Sequence, residues 1–334
     1  MFTKEIVGSV NAFTAGWGNL GGGITQLFVG SFLFPIFRDG LLPDNYTKAQ
    51  LQNASELSWR IVCCIPAFIG LTTGILCWFT TDDCPKGNYS DLKKHGSLHT
   101  ESAASSLRKG VFNINTWILF ILYACSFGVE LVKFSGASEY FNSEFGLTTE
   151  KAAAIASIFG FFNFFSRFLG GYLSDVANGY AGMRGRLILH SLLQIAQGAL
   201  IVAFPFAPDL NSAIIIMAIA SLFFQASNGS CFGIVPYVDK TIGGVKGIVG
   251  AGGNVGAVLF GYGFRQTSYH NAYIIMGACV LGSAVLPFLI KIKGHRSILF
   301  GEDSEEVKAA WQSKGIGKKK RQEDSLEVPA LEKL

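Results

Sequence analysis

Arg167 stands inside the apolar run Phe161-Phe162-Asn163-Phe164-Phe165-Ser166-Arg167-Phe168-Leu169-Gly170-Gly171. An arginine near the centre of a transmembrane helix costs about 2.5–3.5 kcal/mol on insertion scales, so something must offset it. A bound anion or a protein carboxylate would do so. The planar fork of a guanidinium suits planar oxyanions, which accept two parallel hydrogen bonds. Two further groups suit the same chemistry. Asn19 and Asn254 are uncharged amides inside apolar runs, able to donate to an anion or to join helices to one another. Tyr123 and Phe127 lie four apart, so they share a helix face and could wall a pocket or simply pack. Glu130, one turn later, is a partner for Arg167, a proton site, or a residue of a wet vestibule; the residues alone leave all three open.

The asparagines come in matched surroundings. In Ala15-Gly16-Trp17-Gly18-Asn19-Leu20-Gly21-Gly22-Gly23 and Gly250-Ala251-Gly252-Gly253-Asn254-Val255-Gly256-Ala257, Gly18, Asn19 and Gly21 correspond to Gly253, Asn254 and Gly256. Gly18 with Gly22, and Gly252 with Gly256, have the small-xxx-small spacing that lets helix backbones approach closely. Gly18, Gly21, Gly22, Gly253 and Gly256 are therefore expected at close helix contacts. Asp175 with Arg184 and Arg186 brackets a short loop. A carboxylate and guanidinium there can latch helices in one state and release them in another.

Stepping outward, these residues need membrane helices to position them. Half of the 334 residues are hydrophobic and 15% are charged, against about 25% in soluble proteins. Mean hydropathy is +0.38. Apolar runs of about 20 residues are long enough to cross the hydrocarbon core. Eight are expected, near 6–36, 59–79, 113–135, 152–173, 187–207, 212–236, 243–264 and 270–290. The fold class is thus an all-α polytopic membrane protein. With the N-terminus placed in the cytoplasm, twenty Lys and Arg fall inside and six outside, which sets both termini as cytoplasmic. The segment 80–112 reads as a flexible cytoplasmic linker. The tail 291–334, with its basic run Lys318 to Arg321 and a candidate phosphorylation site at Ser325, reads as disordered.

Other chemistries find no residues. The seven cysteines show no CxxC or His-Cys spacing, so neither a metal site nor a disulfide framework is expected. Gly18 to Gly21 lacks the strand and βαβ surroundings of a dinucleotide loop. There is no Ser/His/Asp set, HExxH or Walker A motif, and the net charge of +4 gives no case for nucleic acid. The chain is expected to be neither an enzyme nor a cofactor protein, and its surroundings are the lipid bilayer.

Taken together, these residues resemble the nitrate/nitrite porter family of the major facilitator superfamily, especially its eukaryotic high-affinity branch. The Ala15–Gly23 stretch is similar to that family's first nitrate signature, on its fifth helix, and Gly250–Ala257 to the second, on its eleventh. Tyr123 to Glu130 resembles the seventh helix, whose Tyr and Phe contact the anion, and Arg167 matches the eighth-helix arginine that binds nitrate. Gly171 to Asp175 with Arg184-Gly185-Arg186 is similar to the superfamily's cytoplasmic loop motif, with a longer spacing. The resemblance implies substrate contacts at Arg167, Asn19, Asn254, Tyr123 and Phe127. It also implies import of nitrate or nitrite across the plasma membrane, with protons, by rocking two bundles around a midplane site. It covers nearly all the chain but the tail. The family has twelve helices, and this chain matches the last eight. On that frame 1–79 supplies the last two helices of the N-terminal bundle and 113–290 the six-helix C-terminal bundle. The second-helix arginine that pairs with the Arg167 equivalent has no counterpart. Alternatives are transport of another small oxyanion or organic anion, or a non-transporting scaffold or nitrate sensor.

Overall fold

The computed structural model describes residues 6–84, 87–96, 102–239 and 242–313. Lys4, Lys86, Lys240, the basic run at 318–321 and Ser325 lie outside the described residues. Among those described there is no strand, only an isolated bridge between Cys84 and Gly87. Seven helical stretches are long and apolar enough to cross a membrane. The helices are α1 (Val7–Gly40), α2 (Lys48–Thr80), α3 (Tyr89–Lys94), α4 (Ala103–Phe112), α5 (114–145), α6 (149–180), α7 (183–203), α8 (Leu210–Ile234), α9 (Ile242–Gln266), α10 (Tyr269–Ser283) and α11 (Glu305–Ser313).

The stretch Thr149–Phe206 runs for 58 residues, about 87 Å at 1.5 Å per residue, against a core of about 30 Å. It is two crossings. The backbone breaks at Ala181 (φ −132°, ψ 16°) and Gly182 (φ 62°, ψ −151°), a left-handed φ that a glycine adopts without Cβ strain. The break gives the eight crossings expected from the apolar runs.

Several helices begin or end in polar residues where hydropathy is silent. α2 starts eleven residues before the expected 59, at a capping box: Gln50 N donates to Thr47 Oγ1 (3.4 Å) and Thr47 N to Gln50 Oε1 (2.8 Å). The box fixes the start whatever the polarity of the first turns. α5 runs on to Phe145, ten residues past the expected end, and stops at Gly146, whose φ is +62°. The supposed linker contains α3 and α4, and α4 packs on α9, where Gly244 N donates to Ser106 Oγ (2.9 Å). The tail is also ordered at its start, since Ser304 N donates to Gly294 O and α11 follows. Two π-helical turns interrupt the membrane helices, at Thr25–Leu33 in α1 and Ala124–Gly128 in α5.

Association of these helices gains little from hydrophobic burial, because lipid is as apolar as leucine; close packing and polar links must hold them. α6 is central. Its Gly170 and Gly171 sit so close to Ala226 of α8 and Gly8 of α1 that an added Cβ would lie 2.0 Å from Ala226 O and 2.4 Å from Gly8 O. Arg167 sits between these two seams.

Candidate functional site: a buried arginine–glutamate cluster

The Arg167 side chain, 2% exposed, is held by groups of α5 and of its own helix α6. Its Nη2 donates to Tyr123 Oη at 3.1 Å, and Nη1 donates to Asn163 Oδ1 at 3.3 Å and Glu130 Oε2 at 3.4 Å. The guanidinium carbon lies 5.4 Å from the centre of the Phe127 ring, within range of a cation–π contact. Tyr123 and Phe127 stack, with ring centres 5.0 Å apart and planes 9° apart. At 3.4 Å the ion pair is looser than the 2.7–2.9 Å of a well-formed charge-assisted bond.

Glu130 is the hub. It is 4% exposed, and amides from three helices donate to it: Asn163 Nδ2 at 2.8 Å, Asn228 Nδ2 at 2.5 Å and Asn19 Nδ2 at 3.4 Å. With Arg167, four donors hold its two oxygens, the environment a buried carboxylate requires. Beside it lies a cavity of about 170 Å³, lined by Gly18, Asn19, Gly22, Phe127, Glu130, Leu131 and Asn163. Arg167 is not among its lining residues, but Glu130 and Asn163, both of which it contacts, are. A larger cavity of about 650 Å³ runs beside Leu131, Glu139, Arg265 and Tyr273 and holds no member of the arginine cluster.

The π-helical turn at Ala124–Gly128 presents these side chains. Such turns leave carbonyls without their α-helical partners and gather at functional sites. Two buried glutamines of α7 reach this region: Gln197 Nε2 donates to Cys125 O (3.1 Å) and Gln194 Nε2 to Leu122 O (3.2 Å).

Of the expected contacts, Arg167, Tyr123 and Phe127 come together, and Asn19 reaches the cluster through Glu130. Asn254 does not; it is exposed on α9, outside the network. α9 turns Gly252, Gly253 and Gly256 toward α5, and at about 100° per residue Asn254 points elsewhere. The sequence alone assigns no role to Asn163, Asn228, Gln194 and Gln197. Asn163 is one turn from Arg167, a spacing that places both on one face. Gln225, Ser227, Asn228 and Ser230 are all fully buried polar residues inside one apolar run, a density that marks a helix facing other helices rather than lipid.

The glycines divide. On α9 an added Cβ would lie 2.4 Å from Phe120 O at Gly252, 2.5 Å from Phe127 Cδ1 at Gly253 and 2.4 Å from Ala124 O at Gly256. On α1 the close approach belongs instead to Gly16, 2.9 Å from Asn163 O, and Gly23, 2.8 Å from Gly160 C. Gly18 and Gly21 face open space among the described residues, which corrects the expectation of close contacts there. Residues 16 and 23 are seven apart and fall on one line of the helix, while 18 and 21 fall well off it. Gly22 is partly exposed at the cavity wall.

At one end of α6, Asp175 and Arg186 pair as expected: Arg186 Nη2 donates to Asp175 Oδ1 at 2.6 Å, and Arg186 Nη1 to Ser174 Oγ at 3.0 Å. Asp175 also accepts from Gly8 N (3.1 Å) and Ser9 N (2.6 Å) in the first turn of α1, where a carboxylate meets the positive end of the helix dipole. Arg184 is half-buried and outside this pairing, because the break at Gly182 aims Arg186 inward. At the other end of α6, Arg38 Nη1 donates to Glu150 Oε1 at 2.6 Å.

A polytopic all-α chain with paired glycine helices and a buried central arginine has a counterpart among known families. The sequence model of the Major Facilitator Superfamily matches residues 1–238. The chain belongs to the Major Facilitator Superfamily. This is a family of transporters, not of enzymes, and the chain is an integral membrane protein. It is 36% identical over 312 residues to the High affinity nitrate transporter 2.5 of Arabidopsis thaliana, covering 92% of this chain and 60% of the relative. It is 36% identical over 320 residues to Nitrate transporter 2.1 of Chlamydomonas reinhardtii, covering 92% and 56%. With the High-affinity nitrate transporter 2.3 of Oryza sativa subsp. japonica it shares 38% over 310 residues, covering 90% and 57%. The chain thus spans little more than half the length of these curated relatives.

Proposed function

We propose that this chain works in the transport of nitrate, and of the related oxyanion nitrite, by alternating access with protons as the coupling ion. The observation that carries the reading is the Arg167 guanidinium, buried at mid-helix between Tyr123 Oη and the face of Phe127. Relatives named as nitrate transporters, at 36–38% identity, support it. In this reading Arg167, Tyr123, Phe127 and Asn19 are the anion's contacts and Gly22 keeps the path beside them open. The Asp175–Arg186 pair is the cytoplasmic latch. The protein sits in the plasma membrane with both termini cytoplasmic. A cysteine placed in the loop before α2, at Asp44, should then react with an impermeant reagent from outside intact cells; labelling only after permeabilisation would reverse the orientation.

The test of the function is uptake of labelled nitrate into liposomes by the complete open reading frame encoding this chain, with Arg167→Lys beside the wild type. Lysine keeps the charge but loses the planar fork. Loss of one charge-assisted bond costs about 1.5–3 kcal/mol, or about 10- to 150-fold in affinity. Unchanged uptake by Arg167→Lys would reduce Arg167 to a structural partner of Glu130.

A further inference from the structure

Groups from α1, α6 and α8 surround the Arg186 guanidinium. The side chain is fully buried, so nothing outside the chain reaches it without displacing one of them. Asp175 and Ser174 of α6 accept its hydrogen bonds. Gly8 of α1 and Gly233 of α8 lie against it; a Cβ added at either would come 3.1 and 2.8 Å, respectively, from Arg186 Nη1. Tyr237 stands in the 3₁₀ turn Val235–Tyr237 that follows α8. The guanidinium carbon lies over its ring, 5.3 Å from the centre, within range of a cation–π contact.

The chain beyond α10 is built against this same tyrosine. It is anchored at the start of α5, where Asn115 Nδ2 donates to Lys291 O (2.8 Å) and Lys291 N to Asn115 Oδ1 (3.1 Å). Ile290 and Ile292 are buried in one apolar cluster with Leu187 of α7 and Ile234 of α8, and Ile298 and Tyr237 pack on that cluster. The segment then closes on itself. Ser297 N donates to Phe300 O (2.9 Å), Ser304 N to Gly294 O (3.1 Å) and Arg296 N to Asp303 Oδ1 (2.8 Å). Thus fixed, it presents His295 to Tyr237, with ring centres 5.2 Å apart and planes at 82°, an edge-to-face pair.

We infer that the segment 291–304 sets the strength of the latch: through His295 and Tyr237 it positions Arg186 on Asp175, and so holds the start of α1 on α6. The inference rests on the latch reading of Asp175 and Arg186, and not on what is carried. Tyr237 and His295 are positioning residues that act through Arg186. Asp175 accepts from Gly8 N, Ser9 N and Ser9 Oγ. The first amides of a helix have no partner within it, so these bonds depend on where the Asp175 carboxylate is held, which Arg186 fixes. Were Tyr237 and His295 only apolar filling, their loss would loosen this whole end of the bundle alike. As positioning residues, their loss is felt first at Gly8 and Ser9.

The experiment is hydrogen–deuterium exchange read by mass spectrometry, on the protein from the complete open reading frame, purified in detergent. Exchange of the Gly8 and Ser9 amides reports each opening of the latch, because Asp175 is their acceptor. Tyr237→Leu should speed it about 2- to 30-fold, the range of one cation–π contact. Tyr237→Phe keeps the ring and should exchange like the wild type. His295→Ala should act in the same direction, by about 2- to 12-fold, and should add nothing to Tyr237→Leu. Amides within α5 and α10 should keep their wild-type rates throughout. Unchanged exchange at Gly8 and Ser9 in Tyr237→Leu would overturn the inference. So would a rise shared equally by α5 and α10, an effect of Tyr237→Phe as large as that of Tyr237→Leu, or full additivity of Tyr237→Leu and His295→Ala. Gly8 and Ser9 unprotected in the wild type would instead overturn the latch reading, and this inference with it.

Discussion

Replacing Gly256 with alanine tests how tightly α9 is fitted to the helix that carries Tyr123, Phe127 and Glu130. The new Cβ would lie 2.4 Å from Ala124 O and 2.8 Å from Ala124 Cα. Those atoms belong to the backbone of the π-helical turn, so no side chain can swing away. Ordinary carbon contacts begin near 3.5 Å, so the two helices must part by roughly 1 Å. Overpacking of this kind costs about 1–3 kcal/mol, about 5- to 150-fold in the folding equilibrium. The shift passes straight to Tyr123 and Phe127, which Gly253 also touches. Thermal unfolding of the purified protein in detergent and nitrate uptake in liposomes should therefore both fall. Gly250→Ala is the control on the same helix, since a Cβ there meets nothing within 4 Å. If Gly256→Ala unfolds and transports like Gly250→Ala, the close contact of α9 on the π-helical turn is not as described, and the argument from it fails.

Asp175→Asn should destabilise the protein by about 1.5–3 kcal/mol, because it removes one charged hydrogen-bond partner of a fully buried Arg186; Arg184→Gln should be close to neutral, and equal effects in thermal unfolding would refute the assignment of the pair. Gln197→Leu removes the donor to Cys125 O, leaving a buried carbonyl unpaired at about 1–3 kcal/mol; an unfolding midpoint identical to wild type would mean that this carbonyl is satisfied within a regular helix.

The crossings were legible because a span of about 20 apolar residues has few other uses, and Arg167 because a charge there needs a reason. The partner of Arg167 was legible only as one of three open readings of Glu130. Glu130 is 37 positions away, and its meeting with Arg167 depends on how α5 and α6 pack, which no local pattern records. The phase of the glycines was lost for a related reason. Gly18, Gly21 and Gly22 catch the eye as a cluster, but contact belongs to the line through Gly16 and Gly23, and choosing a line requires knowing where α6 lies. The early start of α2 and the late end of α5 escaped because capping and a positive-φ glycine, not apolarity, fix them. The π-helical turn in α5 left no pattern of its own; its trace is at a distance, in Gln197 of α7, which meets its Cys125 carbonyl, and in Gln194, which meets Leu122 just before it.

These features bear on motion through α6. Glu150 and Asp175, near its two ends, are 25 residues apart, about 37 Å along a helix, and each ties α1 ionically or through its amides: Arg38 to Glu150, and Gly8 and Ser9 to Asp175. Between the ties the contact of α1 with α6 runs through Gly16 and Gly23 against Asn163 and Gly160. On the same seam side chains of α1 interlock with α6: Trp17 packs edge-on against Phe164 with ring centres 5.1 Å apart, and Phe13 against Phe168 at 5.9 Å. The ties at the ends are specific and must break for the ends of α1 to part from α6. The Gly16 contact lies level with Asn163, one turn from Arg167, and near it Asn19 meets Glu130 at 3.4 Å. A movement of α1 against α6 at this level would be felt first at that long contact, because Glu130 is bonded to Asn19 and Arg167 alike.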